Sequence, residues 1–125
     1  MKVLLIDDSR TMRAIQRKIL QGLGYEEIAE ANDGVEGLSQ VVAEKPELIL
    51  VDWNMPNMDG LTFVLKLRET RKDIPIIMVT TEAERSRVIE AIRAGVNNYV
   101  VKPFTPQMLT EKIQQTLQTV GAGTA

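Results

Sequence analysis

Two adjacent acids, Asp7 and Asp8, follow the first apolar run of the chain, and a third, Asp52, closes a later one. Thr80 and Lys102 stand at the ends of two further apolar runs. The chain has no His and no Cys. Imidazole and thiolate are therefore absent as base, nucleophile or soft metal ligand. What remains is oxygen chemistry. Three carboxylates sharing one site repel each other and cannot all ionise cheaply unless a cation joins them. Such donors suit a hard ion, Mg²⁺ first and Mn²⁺ as the substitute. Mg²⁺ keeps positions open for water or phosphate. Lys102 can hold an anion as a point charge, and Thr80 can donate a hydrogen bond to it. A metal, a nucleophilic oxygen, a cation and a hydroxyl donor are the parts that phosphoryl transfer requires. Taken singly, each residue has a plainer reading: Asp8 caps a helix, Asp52 starts a turn, Thr80 caps a strand end, Lys102 forms an ion pair. The chemistry stands only if the fold gathers all five.

The elements must do that gathering. Five short apolar runs, at 3–6, 28–31, 48–51, 74–79 and 99–101, are rich in Val and Ile, and most do not alternate with polar residues. Such runs read as strands buried on both faces of a parallel sheet. Between them lie segments with helical periodicity. Met12, Ile15, Ile19 and Leu23 mark a first helix, with Ser9 or Asp8 as its N-cap and Gly24 beyond its end. Val35, Leu38 and Val42 mark a second, ended before Pro46, and Leu61, Val64 and Leu67 a third, opened near Asp59-Gly60. Val88, Ala91 and Ile92 mark a fourth, stopped at Gly95. Leu109, Ile113, Leu117 and Val120 mark a fifth, opened at Thr105-Pro106. Strand and helix alternate five times. Right-handed crossovers make this an α/β protein with a single doubly wound five-stranded parallel sheet, order 2-1-3-4-5, and five helices. In that order the first and third strands are neighbours, and ligands sit beyond their carboxyl ends. Asp7, Asp8 and Asp52 then meet at one sheet edge, with Thr80 and Lys102 facing them.

Composition excludes several classes. The 125 residues fit one domain, with no internal linker or repeat. A formal charge of −2 is not built to hold a nucleic-acid backbone, and one Trp, two Tyr and two Phe make no stacking platform. The N-terminal apolar run is too short for a signal peptide or a membrane span. No nucleic acid or membrane is expected as partner. A domain over 1–120 and a flexible tail over 121–125 are expected, with no fused output module.

The positions of Asp7-Asp8, Asp52, Thr80 and Lys102-Pro103 resemble those of the receiver domains of bacterial two-component response regulators. The string Asp52-Trp53-Asn54-Met55-Pro56-Asn57-Met58-Asp59-Gly60 is similar to that of the chemotaxis members in particular. So are Met78-Val79-Thr80, Glu82-Ala83 and Tyr99-Val100-Val101-Lys102-Pro103-Phe104-Thr105. The resemblance runs from Val3 to about Val120 and implies the flavodoxin-like receiver architecture. It implies that Asp52 accepts a phosphoryl group from a histidine kinase or a small donor such as acetyl phosphate. Asp7, Asp8, Asp52 and the backbone carbonyl of Asn54 would hold Mg²⁺. Lys102 would bind the phosphoryl oxygen, and Thr80 would hydrogen-bond it once attached. The Lys102–Pro103 bond is cis in relatives. Asn54 and Glu82 fall where relatives tune the lifetime of the acyl phosphate, and Thr80 with Tyr99 would form the switch. Arg85, Arg87, Tyr99, Lys112 and the nearby Arg93 would lie on the output face of the fourth helix, fifth strand and fifth helix.

The expected protein is a cytoplasmic, monomeric signalling protein rather than a conventional enzyme, although it assists its own phosphorylation and dephosphorylation. Its expected target is the flagellar motor switch, or else a phosphorelay or another protein target, with room for a phosphatase. Glu84 stands before Arg85 where the resemblance suggests two consecutive basic residues, which weighs against the motor assignment alone. Three rivals fit less well. A flavin site would need a neutral loop where Asp7-Asp8-Ser9 stands. A hydrolase with Asp as nucleophile would need Asp-x-Asp and a cap domain. A scaffold that binds without phosphorylation would have no need of the complete acidic set.

Overall fold

Strand and helix alternate through the whole computed structural model, which describes residues 1–124, with side chains described through residue 119. The elements are β1 (Lys2–Ile6), α1 (Arg10–Gly22), β2 (Glu27–Ala31), α2 (Gly34–Glu44), β3 (Leu48–Val51), α3 (Gly60–Thr70), β4 (Ile76–Thr80), α4 (Arg85–Ala94), β5 (Asn98–Val101) and α5 (Pro106–Thr124). The strands pair in parallel in the order β2-β1-β3-β4-β5. This is the expected topology. The tail over 121–125, expected to be flexible, lies outside the described side chains, and Ala125 lies outside the described residues.

The apolar runs lack alternation because both faces of the sheet are covered. Leu4, Ile6, Ile49, Val51, Ile76 and Met78 pack on one side with Val41 of α2, Phe63, Val64 and Leu67 of α3, and Ala91 of α4. Val3, Leu5, Leu48, Leu50, Ile77, Val79 and Val100 pack on the other with Leu20 of α1 and Leu109 and Ile113 of α5. Strand side chains alternate between faces, so each strand feeds both cores.

Two helices sit differently from their apolar pattern. In α1 the buried positions are Arg13, Gln16 and Leu20, while Ile15 is exposed. A long cation turns inward there because it finds two oxygen partners, described below. In α2, Val35 and Val42 face solvent, Val42 at 78% exposure, and Gly34, Gly37 and Val41 face the core. The helix sits so close to its neighbours that a Cβ at Gly37 would lie 2.7 Å from Ile6 Cδ1. Close approach selects the glycine face over the valine face. Ile92 of α4 is likewise exposed, and Ala91 is the residue that enters the core.

Candidate functional site

The carboxyl ends of β1 and β3 lie side by side, with Ile6 in register with Val51. One residue further on, the Asp52 N–H donates to the Ile6 carbonyl at 3.0 Å, and the Asp7 N–H donates to Ala31 at 3.1 Å. The backbone thus carries both acids past the ends of their strands. Gly60 opens α3 directly against the residues that follow β3. Its N–H donates to the Trp53 carbonyl at 2.8 Å, and a Cβ there would lie 2.0 Å from the Asp52 carbonyl oxygen. On the other side, Ser9 caps α1 by accepting from the Met12 N–H, and its own N–H donates to Asp7 Oδ1 at 2.8 Å. The loop after β1 is therefore short and fixed.

Asp7 and Asp52 are buried and Asp8 is exposed. Each of the three offers one carboxylate oxygen, and those atoms lie within 4.8 Å of one another. Lys102, just past β5, reaches into this cluster. Its Nζ donates to Asp7 Oδ2 at 2.8 Å and to Asp52 Oδ2 at 3.0 Å. Burial raises the Asp7 pKa, and its contacts with Lys102 and the Ser9 N–H offset that only in part. Burial alone would lower the Lys102 pKa. Hydrogen bonds to the two carboxylates outweigh it, and the ammonium is held more firmly protonated. The Lys102–Pro103 peptide is cis, as the resemblance implies.

The other predicted residues take up these places. Thr80 ends β4 fully buried, and its hydroxyl accepts from the Glu82 N–H at 3.3 Å rather than meeting Lys102 or the acids. Glu82 is a junction. Its carboxylate accepts from the Asn54 amide at 3.1 Å, and its carbonyl accepts from the Tyr99 hydroxyl at 2.6 Å. Tyr99 is half-buried, and burial pushes its phenol up to about 12. Arg85 and Arg93 are exposed on α4, and Lys112 is half-buried on α5. Arg87 is on α4 too, but it turns toward the site. Its guanidinium lies 5.3 Å from the centre of the Trp53 ring and 3.7 Å from the Glu82 carboxylate. Trp53, beside Asp52, is only 4% exposed.

Five further residues surround the site without having been predicted for it. Arg13, 8% exposed, donates to the Asp7 carbonyl and, at 2.7 Å, to Glu30. Glu30 in turn accepts from Arg17 at 2.7 Å. Asp33 caps α2 and accepts from Asn57 of the β3–α3 loop. The Glu36 N–H and the Asn57 amide hold its carboxyl below the usual range. The signal for Asp33 was in the sequence, since Asp followed by Gly and an acid three positions on is a helix start. A buried Arg on a helix whose apolar residues lie elsewhere leaves no such trace.

The response regulator receiver domain model matches residues 3–114. Chemotaxis protein CheY1 of Helicobacter pylori is 52% identical over 122 residues, covering 95% of this chain and 98% of that one. The chemotaxis protein CheY homolog of Campylobacter jejuni is 50% identical over 126 residues, covering 98% and 96%. Among solved structures, a CheY-like response regulator receiver domain protein from Methanospirillum hungatei superposes with a TM-score of 0.90 at 30% identity, over 98% of this chain and 97% of that one. Vibrio cholerae chemotaxis protein CheY4 superposes with a TM-score of 0.86 at 37% identity, over 92% and 97%. No described helix is long and apolar enough to cross a membrane. With the acids gathered past β1 and β3, and with the family model and the chemotaxis proteins matching nearly the whole chain, this protein belongs to the response regulator receiver family of two-component signal transduction, alongside its chemotaxis members.

Proposed function

We propose that Asp52 is the phosphoacceptor of a Mg²⁺-dependent response regulator that acts in chemotaxis. The observation that carries this reading is the meeting of Asp7, Asp8 and Asp52 within 4.8 Å, with Lys102 bonded to two of them. The donor set is all oxygen, with two buried members and one open to solvent. It fits a hard divalent ion. Asp7, Asp8, Asp52 and the Asn54 backbone carbonyl are the residues that would hold it. When bound, the ion supplies charge neutralisation to the transferred phosphoryl group.

The protein's own groups do the rest. An oxygen of the Asp52 carboxylate attacks phosphorus, forming an acyl phosphate. The bond to the donor breaks, and its electron pair leaves with the imidazole of a histidine kinase or with acetate from acetyl phosphate. Lys102 already touches Asp52, so its ammonium need only keep its place to meet the incoming phosphoryl oxygens. Preorganised charge of this kind is worth more in a site shielded from water. Hydrolysis reverses the state when water attacks phosphorus and returns the Asp52 carboxylate and inorganic phosphate. Asn54 and Glu82, bonded to each other at the mouth, stand where they would meter that water.

Readout follows from Thr80. Its hydroxyl now accepts from the Glu82 N–H, and Glu82 also anchors Tyr99. A phosphoryl oxygen accepts from the Thr80 hydroxyl and draws it inward, which strains the contact with the Glu82 N–H, so the β4–α4 loop and Tyr99 move together. The phosphoryl group shifts the population only through its different contacts in the two states. The surface of α4, β5 and α5, with Arg85, Tyr99 and Lys112, is the proposed face for a partner, first the flagellar motor switch. A cytoplasmic monomer with a receiver over 1–120 and a tail beyond it completes the proposal.

Intact-mass spectrometry tests it. Incubation with acetyl phosphate and Mg²⁺ adds one phosphoryl unit, EDTA prevents the gain, and Asp52→Asn abolishes it. A gain that persists in Asp52→Asn, or no gain at all, refutes the assignment.

A further inference from the structure

We infer that Asn57 and Asp33 are positioning residues for the acidic pocket: their contact latches the β3–α3 loop onto the start of α2 and so fixes Asn54 and Asp52. The inference rests on the reading of that pocket as a Mg²⁺ site. The loop from Trp53 to Asp59 carries the Asn54 carbonyl; the Asn54 amide binds Glu82 on the β4–α4 side, and Trp53, Met55 and Met58 pack on the core. At its C-terminal end the Gly60 N–H binds the Trp53 carbonyl, and within it Met58 N–H turns back to Pro56 at 2.7 Å. None of these hydrogen bonds ties the loop to the start of α2.

Asn57 and Met58 supply that tie. Asn57 stands at φ +66°, a left-handed conformation that Asn tolerates better than most residues. Its amide donates to Asp33 Oδ2 at 2.7 Å. The other oxygen of the same carboxylate caps α2, accepting the Glu36 N–H at 2.8 Å. Beside this contact the Gly34 N–H donates to the Met58 carbonyl at 3.1 Å. The approach is so close that a Cβ on Gly34 would lie 2.7 Å from Met58 Cγ. One carboxylate therefore joins two structures, the helix that follows β2 and the loop that follows β3. Capping alone needs one oxygen. The second is spent on the loop, and neither Asn57 nor Asp33 is among the acids that gather at the pocket. Their influence must pass through the backbone, as it does for groups that orient metal ligands from behind.

Mg²⁺ titration of the full chain, followed by Trp53 fluorescence, tests the latch. Asn57→Gly keeps the left-handed backbone at no steric cost and deletes the side chain that carries the amide. It should raise the Mg²⁺ dissociation constant by about tenfold, the low end for groups that orient metal ligands. Phosphoryl incorporation should fall at low Mg²⁺ and recover at saturating Mg²⁺. The paired exchange Asp33→Asn with Asn57→Asp rebuilds the amide–carboxylate contact with its polarity reversed, leaves the net charge alone and keeps a good N-cap. It should restore most of the affinity, whereas a merely stabilising role would leave the Mg²⁺ affinity of the folded Asn57→Gly protein unchanged. Wild-type Mg²⁺ affinity in Asn57→Gly overturns the inference, and so does a loss that the exchange fails to repair. If the wild-type chain itself shows neither a Mg²⁺ response nor a phosphoryl gain, the Mg²⁺ reading fails and the latch falls with it.

Discussion

Gly60→Ala adds a single methyl carbon at the first residue of α3. At an exposed helix position that change stabilises a protein by about 1 kcal/mol. Here the new carbon would lie 2.0 Å from the Asp52 carbonyl oxygen, 2.9 Å from its carbon and 3.0 Å from Trp53 Cα. All three are backbone atoms, so no side chain can swing aside. Even a close C···O contact sits near 3.3 Å, so the acceptor strand and the helix must part by about 1 Å. Overpacking of this kind costs about 1–3 kcal/mol. The same displacement should move Asp52 relative to Lys102 and Asp7, and about 1 Å of misplacement lowers a well-oriented reaction by roughly 100-fold. Urea unfolding should thus show a destabilised protein, and phosphoryl incorporation from acetyl phosphate should fall by about two orders of magnitude. Gly22→Ala is the control. A Cβ there meets nothing within 4 Å, and a gain of about 0.5–1 kcal/mol is expected. A Gly60→Ala protein as stable as the parent and phosphorylated at the parent rate would refute the claim that this glycine sets the position of Asp52.

Other outcomes follow from the same contacts. Lys102→Met removes the ammonium from between Asp7 and Asp52; Mg²⁺ binding by calorimetry should tighten, while phosphoryl incorporation slows by about 10²–10³-fold for want of a charge on the transferred group. Burial pushes the Glu30 carboxyl up, but Arg17 and Arg13 outweigh it, and its pKa ends below the ordinary 4.5. Its stabilisation is therefore complete above that value and disappears as pH falls through the lowered one; after screening it is worth about 1 kcal/mol, and Glu30→Gln should flatten that part of the stability–pH curve. Tyr99→Phe should delete a phenol that titrates at about 12 by absorbance and should free the Glu82 carbonyl. Arg87→Ala uncovers the Trp53 ring, which should shift its emission to the red and cost about 0.5–1 kcal/mol.

Much of this was legible in the residues. Asp7, Asp8, Asp52, Thr80 and Lys102 each follow or end a buried apolar run, and a doubly wound parallel sheet delivers all such ends to one edge. Ser9 and Asp59 announce helix starts through their hydroxyl and carboxylate, and both do cap. What stayed hidden obeys a different rule. Hydrophobic periodicity assigns every Arg to solvent, so it turned α1 away from Arg13, whose buried guanidinium is held by the Asp7 carbonyl and Glu30. It also turned α2 toward Val35 and Val42, because it counts methyl groups and not the closeness that Gly34 and Gly37 permit. Arg87 stands exposed on α4, where it was expected, but its contacts to Trp53 and Glu82 depend on two loops meeting in space. The Asn57–Asp33 contact likewise joins segments 24 residues apart, a pairing that local pattern does not express.

Borohydride reduction of the phosphorylated protein followed by peptide mapping tests the central claim most directly. An acyl phosphate is reduced to an alcohol at the carboxylate that carried it. Reduction at Asp52 alone, dependent on Mg²⁺ and on the donor, is the predicted result. Reduction at Asp7 or Asp8, or at no aspartate, would contradict it.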